Sequence, residues 1–286
     1  MPDESCSVLI TGAGGGIGTA ATRALLERGV TVYAGVRGVP PPGLGGAVPI
    51  TLDVTSSESV AAAAETIADR QGGRGLQAII NNAGVIVQSP VELISESELR
   101  RQFEVNVYGP IRVMQAFLPQ LRIGKGRIVN ISAPTARMAV PFAAPISASK
   151  SALAAVSDAA RIELAQWDIP VVQVEPGATD TQIFAKADRT SADAMSTADA
   201  ARIDIYRPAL SAVAATAAAQ RLEPLDAVVK AIVAATLDAR PKTHYVVGGA
   251  RTIAMVARLP VGVRDRLLTR FVGLSNLERT AKEAAR

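Results

Sequence analysis

The stretch that most constrains this chain is Val8 to Gly18, VLITGAGGGIG. A short apolar run, Val8-Leu9-Ile10, leads into a glycine-rich turn. A helical segment comes next, from Ile17 to about Arg28, with Ile17, Ala21, Ala24 and Leu25 at apolar spacing. Strand, turn and helix in that order open a dinucleotide-binding βαβ unit. Gly12 permits the tight turn, Gly16 lets the backbone approach a pyrophosphate, and Gly18 lets helix and strand pack closely. The helix N-terminus then directs free N–H groups at the phosphates. The spacing is TGxxxGxG rather than GxGxxG, and on its own such a loop also suits a plain tight turn in another α/β protein.

The alternation of strand and helix continues along the chain. Val30 to Val36 reads as a second strand ending at Arg37, about twenty residues after the loop, where the adenosine ribose lies in dinucleotide folds. An acid there would hold a 2′-hydroxyl. An arginine can pair with a 2′-phosphate, which favours NADP(H) over NAD(H); the alternative is a solvent-facing side chain at a strand end. Gly38 to Pro49 is a Pro/Gly-rich loop. Strands are expected at Pro49 to Leu52, Gln77 to Ile80, Gly126 to Ser132, Pro170 to Val174 and His244 to Gly248. Helices are expected at Thr55 to about Arg70, Ser95 to about Leu121 with an interruption at Gly109-Pro110, Ser147 to Gln166, and Asp226 to Leu237. Alternation at this spacing, with near-continuous apolar strands, specifies an α/β fold with a doubly wound parallel sheet buried on both faces.

Composition excludes other classes. Hydrophobic residues make up 49% of the 286, enough for a sizeable core, yet aromatics only 3%, so the core is built of small aliphatics. The net charge of +4 includes no basic run of the kind that binds nucleic acid. No uncharged apolar stretch is long enough for a membrane span. The first residues show no signal-peptide pattern, and the lone Cys6 can form no internal disulfide, so a cytoplasmic location is expected. One histidine and one cysteine argue against a metal site. Residues 178–223, alanine-rich and polar, come after a strand's carboxyl end and read as a helical lid over a small-molecule substrate. The tail, Ala250 to Arg286, is basic and amphipathic: Leu259, Val263, Leu267, Leu268 and Phe271 against Arg258, Arg264, Arg266 and Arg270. It suits a helix packing on its own domain or on a partner subunit, or a membrane-surface role.

With these pieces placed, the chain resembles the short-chain dehydrogenase/reductase family. The resemblance rests on TGAGGGIG at 11–18, Asp53-Val54, NNAG at 81–84, Asn106 in FEVNVYGP, NIS at 130–132, SASK at 147–150 and PGATDT at 176–181. It implies a single Rossmann-type domain over 1–249 with a C-terminal extension at 250–286. It also implies homodimer or homotetramer assembly through the helices at 95–121 and 147–166. The implied cofactor contacts are Gly12, Gly14, Gly15, Gly16, Ile17, Gly18, Arg37, Asp53, Val54, Asn82, Ala83, Gly84, Lys150, Pro176, Gly177, Thr179 and Thr181. The implied catalytic residues are Asn106 and Lys150, the lysine also holding the nicotinamide ribose; Asn106 suits a structural helix-kink residue equally well.

Two family positions are not met. The acid/base tyrosine stands four residues before the lysine, and here that position is Ile146. The serine stands thirteen before the tyrosine, and here that position is Ala133, with Ser132 one place early and on the opposite strand face. Losing a general acid costs about 10²–10⁴ in rate, and losing an oxyanion donor about another 10²–10³. Candidate substitutes are Lys150, Ser147, Ser149, Tyr206 in the lid, a bound water, or an acid on the substrate. Tyr108, two positions beyond Asn106, is expected to face away and pack. The departures leave three readings open: an NADP(H)-dependent oxidoreductase of a small or polycyclic apolar carbonyl or alcohol, with an altered proton donor; a redox-neutral cyclase, dehydratase or isomerase; or a non-catalytic nucleotide-binding protein.

Overall fold

A computed structural model describes residues 6–181, 183, 187, 195, 198–219 and 222–275. The chain runs β1 (Ser7–Thr11), α1 (Gly16–Leu26), β2 (Thr31–Val36), β3 (Val48–Thr51), α2 (Ser57–Gln71) and β4 (Ala78–Asn81). Then come α3 (Glu96–Phe103), a π turn (Glu104–Tyr108), α4 (Gly109–Gly124), β5 (Arg127–Ile131), α5 (Ala144–Glu163) and β6 (Val171–Glu175). α6 (Ala200–Ala219), α7 (Asp226–Leu237), β7 (His244–Val246), α8 (Ala250–Val256) and α9 (Val261–Phe271) complete the described residues.

Among these the strands form one seven-stranded sheet in the order β3-β2-β1-β4-β5-β6-β7, every pairing parallel. Propagation reverses between β1 and β4, and the carboxyl ends of those strands border the crevice where open α/β sheets bind ligands.

Both faces are covered, which is why the strands lack alternation. Val8 and Ile10 face one core with Leu25 of α1 and Val228 and Ile232 of α7. Leu9, Ile79 and Ile128 face the other with Ile67 of α2 and Phe117 and Leu121 of α4. Helix ends are set by their caps. Ser56 accepts from Ser59 N at 3.0 Å at the start of α2, and Gly72, at φ +55°, closes it.

Two boundaries differ from the sequence expectation. The helical stretch near 95–121 is interrupted before Gly109-Pro110, by the π turn at Glu104–Tyr108. Pro110 has no N–H to offer the Asn106 carbonyl and its ring crowds that oxygen, so the turn ahead of it widens. α5 begins at Ala144 rather than Ser147, because Pro145, with its fixed φ, belongs in a first helical turn. Ile146 and Lys150 are therefore one turn apart on a single helix. Tyr108 does face away from Asn106 but is exposed, with the Arg112 guanidinium 6.0 Å over its ring, rather than packed inside.

Of the expected lid, α6, the segments 178–181, 198–199 and 222–223, and the single residues 183, 187 and 195 are described. Residues 182, 184–186, 188–194, 196–197 and 220–221 lie outside the described residues, as does 276–286 of the tail.

Candidate active site

The glycine loop is shaped by what it must touch. Gly12 sits at φ +62°, and a Cβ there would come within 2.8 Å of Ala83 Cα. A Cβ on Gly18 would overlap the Gly12 carbonyl. Residues Asn82-Ala83 at the end of β4 stitch this loop in place. Asn82 Nδ2 donates to the carbonyls of Thr11 and Gly12, each at 3.0 Å, while the backbone N–H groups of Asn82 and Ala83 donate to Thr11 Oγ1 at 3.1 Å. No side chain caps α1, so its first-turn N–H groups face the crevice free for an anion. Thr181 closes from the other side: a Cβ on Gly16 would meet its Cγ2 at 2.8 Å. Backbone and side chains thus press close on Gly12, Gly16 and Gly18, which leaves no room for a Cβ at these positions and keeps the loop backbone bare, as a pyrophosphate cradle requires.

The residues expected to take the adenosine stand at the carboxyl ends of β2 and β3. Arg37 is exposed there. Asp53 Oδ1 accepts from Thr55 N at 2.9 Å and Thr55 Oγ1 at 2.8 Å. Burial pushes the Asp53 carboxyl up, but these two bonds and the nearby Arg37 charge outweigh it and hold it below the usual range. The exposed Arg37 guanidinium suits an adenosine carrying an extra phosphate, whereas the ionised Asp53 carboxylate would repel that phosphate and suits a hydrogen-bond donor of the adenosine.

At the other end, Lys150 Nζ donates to the Ile131 carbonyl at 2.7 Å. The side chain is buried, and desolvation brings its ammonium down from 10.5 to about 8. Asn106 turns its amide onto the strand-end loop: Oδ1 accepts from Val85 N at 2.9 Å and Nδ2 donates to Val85 O at 3.0 Å. Gln102 clamps the same loop, Oε1 accepting from Val87 N at 2.7 Å and Nε2 donating to Val85 O at 2.8 Å. The Asn106 side chain is thus a structural clamp, and Pro110 offers its carbonyl no N–H.

The substitute donors fare unequally. Ser147 Oγ donates to Ala143 O at 2.8 Å. Ser149 Oγ donates to Ile146 O at 3.0 Å and accepts from Gln102 Nε2 and Asn106 Nδ2. Both hydroxyl protons are therefore spent on carbonyls of α5 and the residue before it, which removes these two serines as donors. Ser132 shares a strand face with Asn130, and its hydroxyl is buried without a hydrogen-bond partner among the described residues. Ala133 is extended, at φ −157°. Tyr206 Oη donates to Glu92 Oε2 at 2.9 Å, a bond that holds its phenol above the ordinary range, and its ring meets Phe142 edge-on at 6.3 Å. α6 therefore docks over the loop just ahead of Ile146.

One feature is not apparent from the motifs. Arg137 binds Glu175 with two bonds, Nε to Oε2 at 2.7 Å and Nη2 to Oε1 at 2.6 Å, tying the turn after β5 to the end of β6. The bond to Glu175 raises the Arg137 guanidinium further above its ordinary value. An acid closing a buried strand demands such a partner, and that was the available signal.

A family model described as short chain dehydrogenase matches residues 7–192. The chain is 37% identical over 182 residues to 3-amino-tetrahydro-pyrrolizinone reductase of Xenorhabdus hominickii, covering 63% of this chain and 64% of that protein. It is 34% identical over 198 residues to estradiol 17-beta-dehydrogenase 2 of Rattus norvegicus, covering 66% and 52%. The matches thus span about half to two thirds of the length of these relatives. Among solved structures, a short chain dehydrogenase from Burkholderia cenocepacia in complex with NADP is similar with a TM-score of 0.70 and 31% identity, covering 93% of this chain and 98% of that one.

Proposed function

The chain belongs to the short-chain dehydrogenase family, and from that premise we propose that it is an NADP(H)-dependent oxidoreductase in which Lys150 handles the proton that a tyrosine would otherwise handle. The glycine-loop backbone at Gly12, Gly14, Gly15, Gly16, Ile17 and Gly18 would hold the pyrophosphate, and Arg37 the 2′-phosphate. Asp53 and Val54 would hold the adenine, and Asn82, Ala83 and Gly84 the strand-end side of the cofactor. Pro176, Gly177, Thr179 and Thr181 would hold the nicotinamide side. The NADP complex of the Burkholderia relative supports the choice of cofactor. When bound, the cofactor supplies or takes up a hydride.

The observation that carries the reading is the placement of Lys150: its side chain is buried one helical turn from Ile146, with Nζ 2.7 Å from the Ile131 carbonyl. Burial pushes its ammonium down to about 8, toward the working range of a general acid. In reduction the substrate oxygen needs one proton. In this reading Lys150 gives it, and in oxidation the neutral amine takes it back. Asn106 and Gln102 fix the loop opposite, and Arg137 with Glu175 fixes the strand ends.

Apolar groups at both lost positions favour a small or polycyclic apolar ketone or alcohol. The relatives named for a pyrrolizinone and for estradiol agree with that class. Pairing of two copies is proposed through α4 and α5, where Ile123 and Ile162 lie exposed.

The test is NADPH oxidation against a panel of apolar ketones across pH. Turnover that falls as pH rises through about 8 is expected. NADPH binding with no turnover on any ketone, then turnover in the Ile146→Tyr, Ala133→Ser double variant, would overturn the role given to Lys150.

A further inference from the structure

The net charge of the chain is unevenly placed. Residues 1–249 hold 22 Lys/Arg against 23 Asp/Glu, whereas residues 250–286 hold eight against three. The whole positive excess therefore sits in the C-terminal extension. We propose that the described part of that extension, residues 250–275, is a docking face for an anionic membrane surface.

α9 buries none of its residues. Val263, Leu267 and Phe271 succeed one another at i, i+4 and i+8, so they form a single stripe, and they are 44%, 46% and 68% exposed. Arg266 and Arg270 run along one edge of it, both exposed. Val272, just past the helix, is buried and anchors its inner side. Met255, Leu259 and Val261 extend the apolar surface back toward α8. The only acid between 250 and 275 is Asp265, which lies 3.9 Å from Arg264. Among the described residues Arg258, Arg266 and Arg270 have no carboxylate partner.

An apolar stripe edged by unpaired arginines is the pattern of a helix that lies in a membrane interface, with Phe and Leu in the acyl boundary and guanidinium groups on lipid phosphates. No described helix is long and apolar enough to cross a membrane, so the extension would rest on the surface. A second copy of the same face would set these arginines against one another, and the near-neutral remainder of the chain offers no compensating acidic excess. The position has a use. α8 packs against β7 and the 134–136 turn beyond Ala133, and Gly273 lies close enough to α6 that an added methyl would meet Ala212 Cβ at 3.6 Å. The face thus adjoins the elements that border the candidate site, where a substrate dissolved in lipid would enter.

The experiment is sedimentation of the full chain with phosphatidylcholine vesicles and with mixed phosphatidylcholine–phosphatidylserine vesicles, at low and high salt. Binding measures docking alone, so it stands or falls separately from turnover. Retention on the phosphatidylserine vesicles, weakened by salt, is expected. Each basic side chain at such a surface is worth about five-fold in partitioning, so Arg266→Gln with Arg270→Gln should lose about 30-fold. Phe271→Ser should weaken binding to both vesicle types; at 68% exposure its replacement leaves the fold intact. Equal binding to both vesicles, no binding to either, or variants that bind like the parent would overturn the proposal. So would a concentration-dependent dimer in analytical ultracentrifugation that Phe271→Ser abolishes in a chain that ignores vesicles.

Discussion

Replacing Lys150 by methionine should make the apo protein more stable at neutral pH, and by an amount that disappears in alkali. The ammonium falls from 10.5 to about 8 on folding because burial strips its hydration. A shift of that size corresponds to about 3 kcal/mol. Its sign depends on which state binds more protons. Between about pH 8 and about pH 10.5 the unfolded chain keeps a proton that the folded chain has released, so the parent gains stability as pH rises through that window. Below about pH 8 both states are charged and the full desolvation cost is present. Methionine has similar length and no charge, so it escapes that cost. The Ile131 carbonyl loses its donor, which costs about 1 kcal/mol. The variant should therefore lead by about 2 kcal/mol at neutral pH and trail by about 1 kcal/mol near pH 10.5. Urea unfolding of both proteins across this range, read as the difference at each pH, isolates Lys150 because every other titrating group is common to the pair. A difference that stays flat with pH would refute the burial of a charged ammonium, and with it the proton role assigned to this lysine.

Three further outcomes are expected. Arg37→Glu should weaken NADPH binding by about 10–100-fold, the value of a charge-assisted contact to phosphate, and leave NADH binding nearly unchanged; isothermal titration distinguishes the two. Gly18→Ala should cost about 1–3 kcal/mol in thermal unfolding, because its new methyl overlaps the backbone at Gly12 and Ala13, which cannot swing away as a side chain can, and also crowds Asn82 Nδ2. Arg137→Met strands the buried Glu175 carboxylate and should cost about 3 kcal/mol, at the low end for a broken buried pair because the arginine is itself partly exposed. Adding Glu175→Gln should recover most of that loss, as melting of the single and double variants would reveal.

Much of the scaffold is legible in the residues alone. The runs at Val8-Leu9-Ile10 and Val171 to Val174 are near-continuously buried on both strand faces, and only a sheet covered on both sides rewards that pattern. The glycine loop is legible because steric exclusion leaves so few residues that fit it. The π turn at Glu104–Tyr108 is not, since Pro110 announces a disturbance without saying on which side it will be absorbed. The start of α5 is displaced for a related reason: SASK draws the eye, while Pro145 sets the first turn. Local spacing could not show that the hydroxyl protons of Ser147 and Ser149 are consumed by carbonyls. Nor could it pair Arg137 with Glu175 across 38 residues of sequence.

The contact between Gly16 and Thr181 limits what position 16 can become. A Cβ there would lie 2.8 Å from Thr181 Cγ2, so Gly16→Ala should push the Thr181 side chain aside, and what stands at position 181 sets how much of a methyl group position 16 tolerates.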